Sequence, residues 1–148
     1  MKDSTSDSFI LVDTGVMSRY LLGKPQITQA YADLTVRATP VITGSIYIEL
    51  MQWLIKARGR ATQALTKSEF DQLRHQLDKY IQLNHKDCID LAVAACRLYP
   101  DTSLGDCFTI GVGLFFDVPI FTLNQKHFER IPGVRLYTPD NYAVLERD

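Results

Sequence analysis

Strand-like and helix-like segments alternate along this chain, a short apolar run stops at a carboxylate, and no glycine-rich phosphate loop follows it. The first two observations predict a three-layer α/β domain on a parallel sheet with right-handed crossovers, and the third removes the main support for dinucleotide and P-loop readings. The run is Phe9-Ile10-Leu11-Val12, apolar without alternation, which is the pattern of a strand covered on both faces. It ends at Asp13-Thr14, so Asp13 falls at the carboxyl end of the strand, the edge where open α/β sheets hold ligands. Asp is also a favoured helix N-cap, and this stretch alone leaves both readings open.

The 148 residues fit a single domain, 1–148, with its core at about 9–138, and a hydrophobic fraction of 46% supplies one sizeable core. Sixteen basic and seventeen acidic residues leave a net charge of -1, so an anionic partner needs a local site. Cys88, Cys96 and Cys107 are odd in number and contain no C-x-x-C pair, which favours neither a disulfide framework nor a zinc knuckle. No apolar run reaches the roughly 18 residues of a membrane span, and Met1 to Ser8 lacks a secretory apolar region, so a soluble cytoplasmic protein is expected.

After Asp13, Val16 to Leu22 is helical in character and ends at Gly23, and Pro25 suits the first turn of a second helix with Ile27, Ala30, Tyr31 and Leu34 on one face. Pro40 to Thr43 is a second strand. Thr43, Gly44 or Ser45 opens the next helix, which carries Ile46, Leu50, Trp53 and Leu54 to a basic end. Thr66-Lys67-Ser68-Glu69 matches a capping box before Phe70, Leu73 and Leu77. Ile81 to His85 reads as an edge strand. Asp87 can cap a helix with buried face Ile89, Ala92, Val93 and Cys96. A helix from Ser103 through Phe116 precedes a strand at Val118 to Thr122, a helical turn around Lys126 to Arg130, and a last strand at Val134 to Tyr137. Gly105, Thr109 and Gly113 form a small-residue row suited to close helix packing.

The informative residues are acids. Glu49 shares a helical face with Ile46 and Trp53, so it is expected to point at least partly inward, where an ionised carboxylate needs a partner or a cation. Asp106 lies three residues after Ser103, a spacing that on its own reads as a capping box. Its location shifts the balance. If the Val118 strand neighbours the first one, Asp13, Glu49 and Asp106 flank one crevice. Hard carboxylate oxygens without His or Cys partners suit Mg²⁺ or Mn²⁺, ions that serve phosphate chemistry.

Val12-Asp13-Thr14, Ile48-Glu49-Leu50, Gly105-Asp106 with its helix, and Phe121-Thr122-Leu123-Asn124-Gln125-Lys126-His127-Phe128 together resemble the PIN-domain nucleases over about residues 9 to 138. The continuation through Glu129-Arg130-Ile131-Pro132-Gly133-Val134 looks most like the VapC-type toxin ribonucleases of virulence-associated toxin/antitoxin pairs. The resemblance implies a parallel sheet in the order 3-2-1-4-5, a metal-dependent endoribonuclease, a homodimer and inhibition by a small antitoxin. Two departures stand out. Gly15 occupies a position where the family often has Asn, and Asn124 and His127 stand where many members carry a fourth acid.

The resulting expectation is hydrolysis of RNA phosphodiester bonds, with Asp13, Glu49 and Asp106 holding a divalent ion that activates water. Thr14 and Thr122 are expected to orient the ligands. Asn124 would ligate or orient water, or serve only as a turn former. Lys126, His127 and Arg130 are candidate phosphate contacts, with a solvated face as the alternative. Two rivals are a PIN-fold binding module for RNA or protein without chemistry, and a receiver-like phosphoacceptor, whose pair of neighbouring acids the first strand lacks.

Overall fold

The computed structural model describes residues 9–146. Four parallel strands, β1 (Phe9–Val12), β2 (Thr39–Ile42), β3 (Ile81–Gln82) and β4 (Ile120–Phe121), form one sheet in the order β3-β2-β1-β4. The expected five-stranded order 3-2-1-4-5 is therefore corrected to four strands. The segment 134–137 reaches β4 through a single parallel bridge, Ile120 to Leu136, with backbone bonds from Ile120 N–H to Arg135 O and from Tyr137 N–H to Ile120 O. With β4 itself only two residues long, the ladder has no length on which to extend a fifth strand.

Helices flank the sheet: α1 (Thr14–Leu21), α2 (Pro25–Arg37), α3 (Gly44–Arg58), α4 (Lys67–Asp78), α5 (Cys88–Leu98), α6 (Leu104–Phe116), α7 (Gln125–Glu129) and α8 (Tyr142–Glu146). Their ends follow local chemistry. Thr43 caps α3 by accepting from Ile46 N–H, Thr66 and Glu69 complete the capping box of α4, and Gly23 takes a positive φ of 76° after α1. No described helix is long and apolar enough to cross a membrane.

The core gathers Leu11 and Val12 of β1, Val41 and Ile42 of β2, Ile120 and Phe121 of β4, and the inward stripe Ile46, Leu50, Leu54 of α3, all buried. Helix α5 is rotated from expectation: Cys88, Ala92 and Ala95 are buried, while Ile89 and Val93 are exposed. Close approach of α6 selects the small face, since a Cβ at Gly111 would run into the Cys88 carbonyl and lie 3.1 Å from Ala92 Cβ. Gly113 serves the same purpose toward the sheet, where its Cβ would come 2.7 Å from Ile120 Cδ1. This packing brings Cys96 and Cys107 together as a disulfide, correcting the expectation of unpaired thiols, and leaves Cys88 buried and free.

Strand order decides where a site forms. The chain steps from β1 outward to β2 and β3, then returns across to β4 on the other side of β1. With right-handed crossovers, that reversal places the two sets of connecting helices on opposite faces and opens a crevice at the carboxyl ends of β1 and β4.

Candidate functional site

Asp13 leaves β1 directly into that crevice. As the N-cap of α1, it accepts at Oδ1 from Thr14 N–H at 2.9 Å, and at Oδ2 from the Thr122 hydroxyl at 2.9 Å. Thr122 follows β4, is fully buried, and accepts in turn from Asn124 N–H at 3.0 Å. The capping and ligand readings of Asp13 are thus compatible: each oxygen carries one hydrogen bond and keeps acceptor capacity to spare.

Glu49 arrives from α3. It is exposed rather than inward-facing, because Ile46, Leu50 and Leu54 take the buried stripe and Glu49 sits at its margin. Its carboxylate lies across the crevice edge, where Oε1 accepts from the Thr14 hydroxyl at 2.7 Å. A Cβ at Gly105 would stand 2.8 Å from Glu49 Oε2, so glycine there leaves the room this carboxylate occupies.

Asp106 enters on the first turn of α6. Its N–H donates to Ser103 Oγ at 3.2 Å, the capping interaction read from the sequence, while its carboxylate is half-buried and bonded by Asn124. The Asn124 amide also meets His127 Nδ1 at 3.0 Å.

Electrostatics ties the three acids together. Burial first, and then the charge of Asp106, push the Asp13 carboxyl up to about 6; Glu49 adds to the rise, and the Thr122 and Thr14 hydrogen bonds oppose it. Asp106 is raised by burial and by Glu49, against hydrogen bonds from Asn124 and Ser103 and the nearby His127. Among the described residues none of the three forms an ion pair with Lys or Arg.

The other expected residues divide. Thr14, Thr122 and Asn124 join the cluster, and His127 borders it. Lys126 is exposed. Arg130 is engaged elsewhere: its Nη2 donates to Asp101 at 2.9 Å and Thr102 at 3.2 Å, and its guanidinium lies 4.1 Å from the Tyr99 ring centroid. Ser103 and Gly105, which shape the seats of Asp106 and Glu49, carried a sequence signal only as a cap spacing and a small residue.

The donor set fits a hard divalent cation, being all oxygen, anionic and uncompensated by basic side chains. Among the described residues no three His, Cys, Asp or Glu side chains form a ready-made cage. The hydrogen bond from Thr14, the residue after Asp13, holds Glu49 Oε1 on the side of the cluster next to Asp13.

No protein-family model and no curated protein sequence matches the chain. Solved structures do. A chain of a toxin–antitoxin complex from Klebsiella pneumoniae is 22% identical, over 84% of this chain and 94% of that one, with a TM-score of 0.66. A chain of VapBC2 from Rickettsia felis, bound to a DNA fragment from its promoter, is 16% identical over 89% and 99% of the two chains, with a TM-score of 0.69. A chain of DNA-bound VapBC from Salmonella typhimurium is 16% identical over 86% and 96%, with a TM-score of 0.64. At these identities the likeness is one of fold, and the fold this chain shares with them is the PIN-like α/β domain that its sequence motifs resemble.

Proposed function

We propose that this chain is a metal-dependent endoribonuclease and the toxin of a type II toxin–antitoxin pair. The observation that carries the reading is the meeting of Asp13, Glu49 and Asp106, from three separate elements, at the switch point of the sheet without a basic partner. The fold likeness to chains of toxin–antitoxin complexes supports the toxin role and a cognate antitoxin as partner; a homodimer is the assembly that the sequence resemblance implies.

Asp13, Glu49 and Asp106 would hold Mg²⁺ or Mn²⁺, which lowers the pKa of a bound water and offsets charge on the scissile phosphate of RNA. Thr122 and Thr14 N–H fix the plane of the Asp13 carboxylate, so its free lone pairs keep one direction. The Thr14 hydroxyl holds Glu49 in reserve beside the site. Asn124 restrains Asp106, and its amide meets the His127 ring at Nδ1, where the sequence resemblance places a fourth acid. Lys126, exposed on the same short helix, would contact the RNA backbone, whereas Arg130 braces the loop at Asp101.

One observation favours a second reading, a PIN-fold module that binds RNA or protein without cleaving: Asn124 stands in place of a fourth acid. Melting curves with and without Mn²⁺ separate the two. In the nuclease, Mn²⁺ raises Tm in proportion to ln(1 + [L]/Kd), and Asp13→Asn, Glu49→Gln and Asp106→Asn each remove the shift and lower RNA cleavage by on the order of 10³-fold. A wild-type protein indifferent to Mn²⁺ would overturn the nuclease.

A further inference from the structure

Beside the acid cluster runs a second cavity of different character. It is a cleft of roughly 600 Å³ between the N-terminal turns of α3 and α6, walled by Ile48, Leu104 and Phe108, with Ser45 and Asn84 at its polar end and Glu49 and Gly105 on the side shared with the acids. Ile48 is 68% exposed and Leu104 86% exposed, so neither is held there by the core. Phe108 packs its other side against the core, which fixes one wall. Asn84 is anchored through Oδ1, which accepts from Gly44 N–H at 2.8 Å; its Nδ2 makes only a long 3.4 Å contact with Gln82 Oε1 and remains available to an incoming acceptor.

We propose that this cleft seats a nucleobase of the RNA strand, next to the phosphate held at the acid cluster; the proposal rests on the nuclease reading and adds the part of the substrate that selects the cleavage site. Three features choose this occupant. Among the described residues the cleft is lined by no basic side chain, so it suits the uncharged part of a nucleotide rather than its phosphate. An aromatic ring with aliphatic walls takes the π-face of a base, and the Asn84 amide N–H, beside a Ser45 hydroxyl that pairs with Thr43 Oγ1 at 2.8 Å, can read a base edge. Its continuity with the acids through Glu49 and Gly105 places the two ends of one nucleotide in adjoining sites.

Two measurements test it. Four short single-stranded RNAs differing only in the base beside the cleaved bond are compared on wild type and on the Ile48→Ala/Leu104→Ala double variant in Mn²⁺. Expected are a base preference in the wild type and, in the variant, a KM about tenfold higher with kcat largely retained and the preference flattened, the scale of one lost base contact. Separately, methyl signals of Ile48 and Leu104 are followed by NMR during titration of metal-free wild type with adenosine, guanosine, cytidine and uridine; saturable shifts with at least one nucleoside are expected. Unchanged kinetics in the variant, or methyl signals indifferent to all four nucleosides, overturns the proposal. So does a change from dimer to monomer in the variant by sedimentation, which would assign the cleft to a second copy of the chain. Should the wild type fail to cleave any RNA, the nuclease reading falls, while the nucleoside titration still decides what the cleft binds.

Discussion

On the β1–β4 side of the acid cluster, Asp13 is half-buried, both its oxygens are engaged, and its partner Thr122, fully buried, is itself pinned by Asn124 N–H. On the α3 side, Glu49 is exposed, and among the described residues its carboxylate bonds only the Thr14 hydroxyl. Strand ends inside a sheet are fixed by the ladder on either side, while a helix side chain at the margin of a buried stripe keeps its rotamer freedom. One half of the site is therefore set by folding, and the other half is left to adjust when a ligand arrives. A carboxylate that has lost its water to burial is costly to keep charged, so the fixed half also carries the strain.

The sharpest way to break this contrast is Thr122→Val. It deletes the hydroxyl that Asp13 and Asn124 share and leaves the Asn124 N–H without its partner, so the protein should lose about 1–3 kcal/mol of stability. Asp13 should also lose affinity for its proton's competitor, Mn²⁺. Urea unfolding and Mn²⁺ titration report the two effects; a variant as stable as wild type would mean the β4 side is no more fixed than the α3 side.

A smaller effect appears in the pH dependence. Burial, and then the charge of Asp106, push the folded Asp13 carboxyl up to about 6, above the ordinary carboxylate range, so the folded state binds this proton more tightly than the unfolded chain. Its contribution is then favourable at low pH and is lost as pH rises from about 4 through 6. Asp13→Asn removes that loss. In metal-free thermal melts, the variant should gain on wild type by on the order of 1 kcal/mol across this window, seen as a few degrees in Tm. Parallel pH profiles would show that Asp13 is not strained.

The mildest change should be Gly105→Ala. The added Cβ presses on Glu49 Oε2, the far end of a flexible side chain, so the fold should hold to within about 0.5 kcal/mol of wild type. The metal site should still suffer, with Kd for Mn²⁺ rising about tenfold as Glu49 is pushed from its seat, a change worth about 1.4 kcal/mol in binding. Equal losses in stability and in metal affinity would show Glu49 to be as rigidly placed as Asp13.

Much of this arrangement is legible in the residues themselves. A buried parallel strand needs an unbroken apolar run, so Phe9 to Val12 announces β1, and the reversal of strand order then brings Asp13 and Thr122 together. The capping box at Thr66 and the Ser103 cap are local chemistry within four residues, and both stand as expected. What escapes notice depends on distance in the chain. Cys96 and Cys107 meet only because glycine at 111 lets α6 approach α5, a contact no spacing rule encodes. Arg130 looks free until Asp101 and Tyr99 come up beside it. The cleft is invisible for a related reason: Ile48 and Leu104 lie off the apolar stripes of their helices, so neither the core pattern nor a motif marks them.

The Cys96–Cys107 bond turns the stretch between α5 and α6 into a covalent ring with a sequence separation of 11, and Ser103 and Asp106 lie inside it. A ring this small adds comparatively little to chain entropy loss, since that contribution grows with the logarithm of loop length. Its consequence is architectural tolerance: extra residues added within the ring would bulge out beneath Asp106 and tilt the first turn of α6. The exposed segment 59–64, which joins α3 to α4 outside any such closure, is the place where the chain can be lengthened or a tag inserted without disturbing the acids.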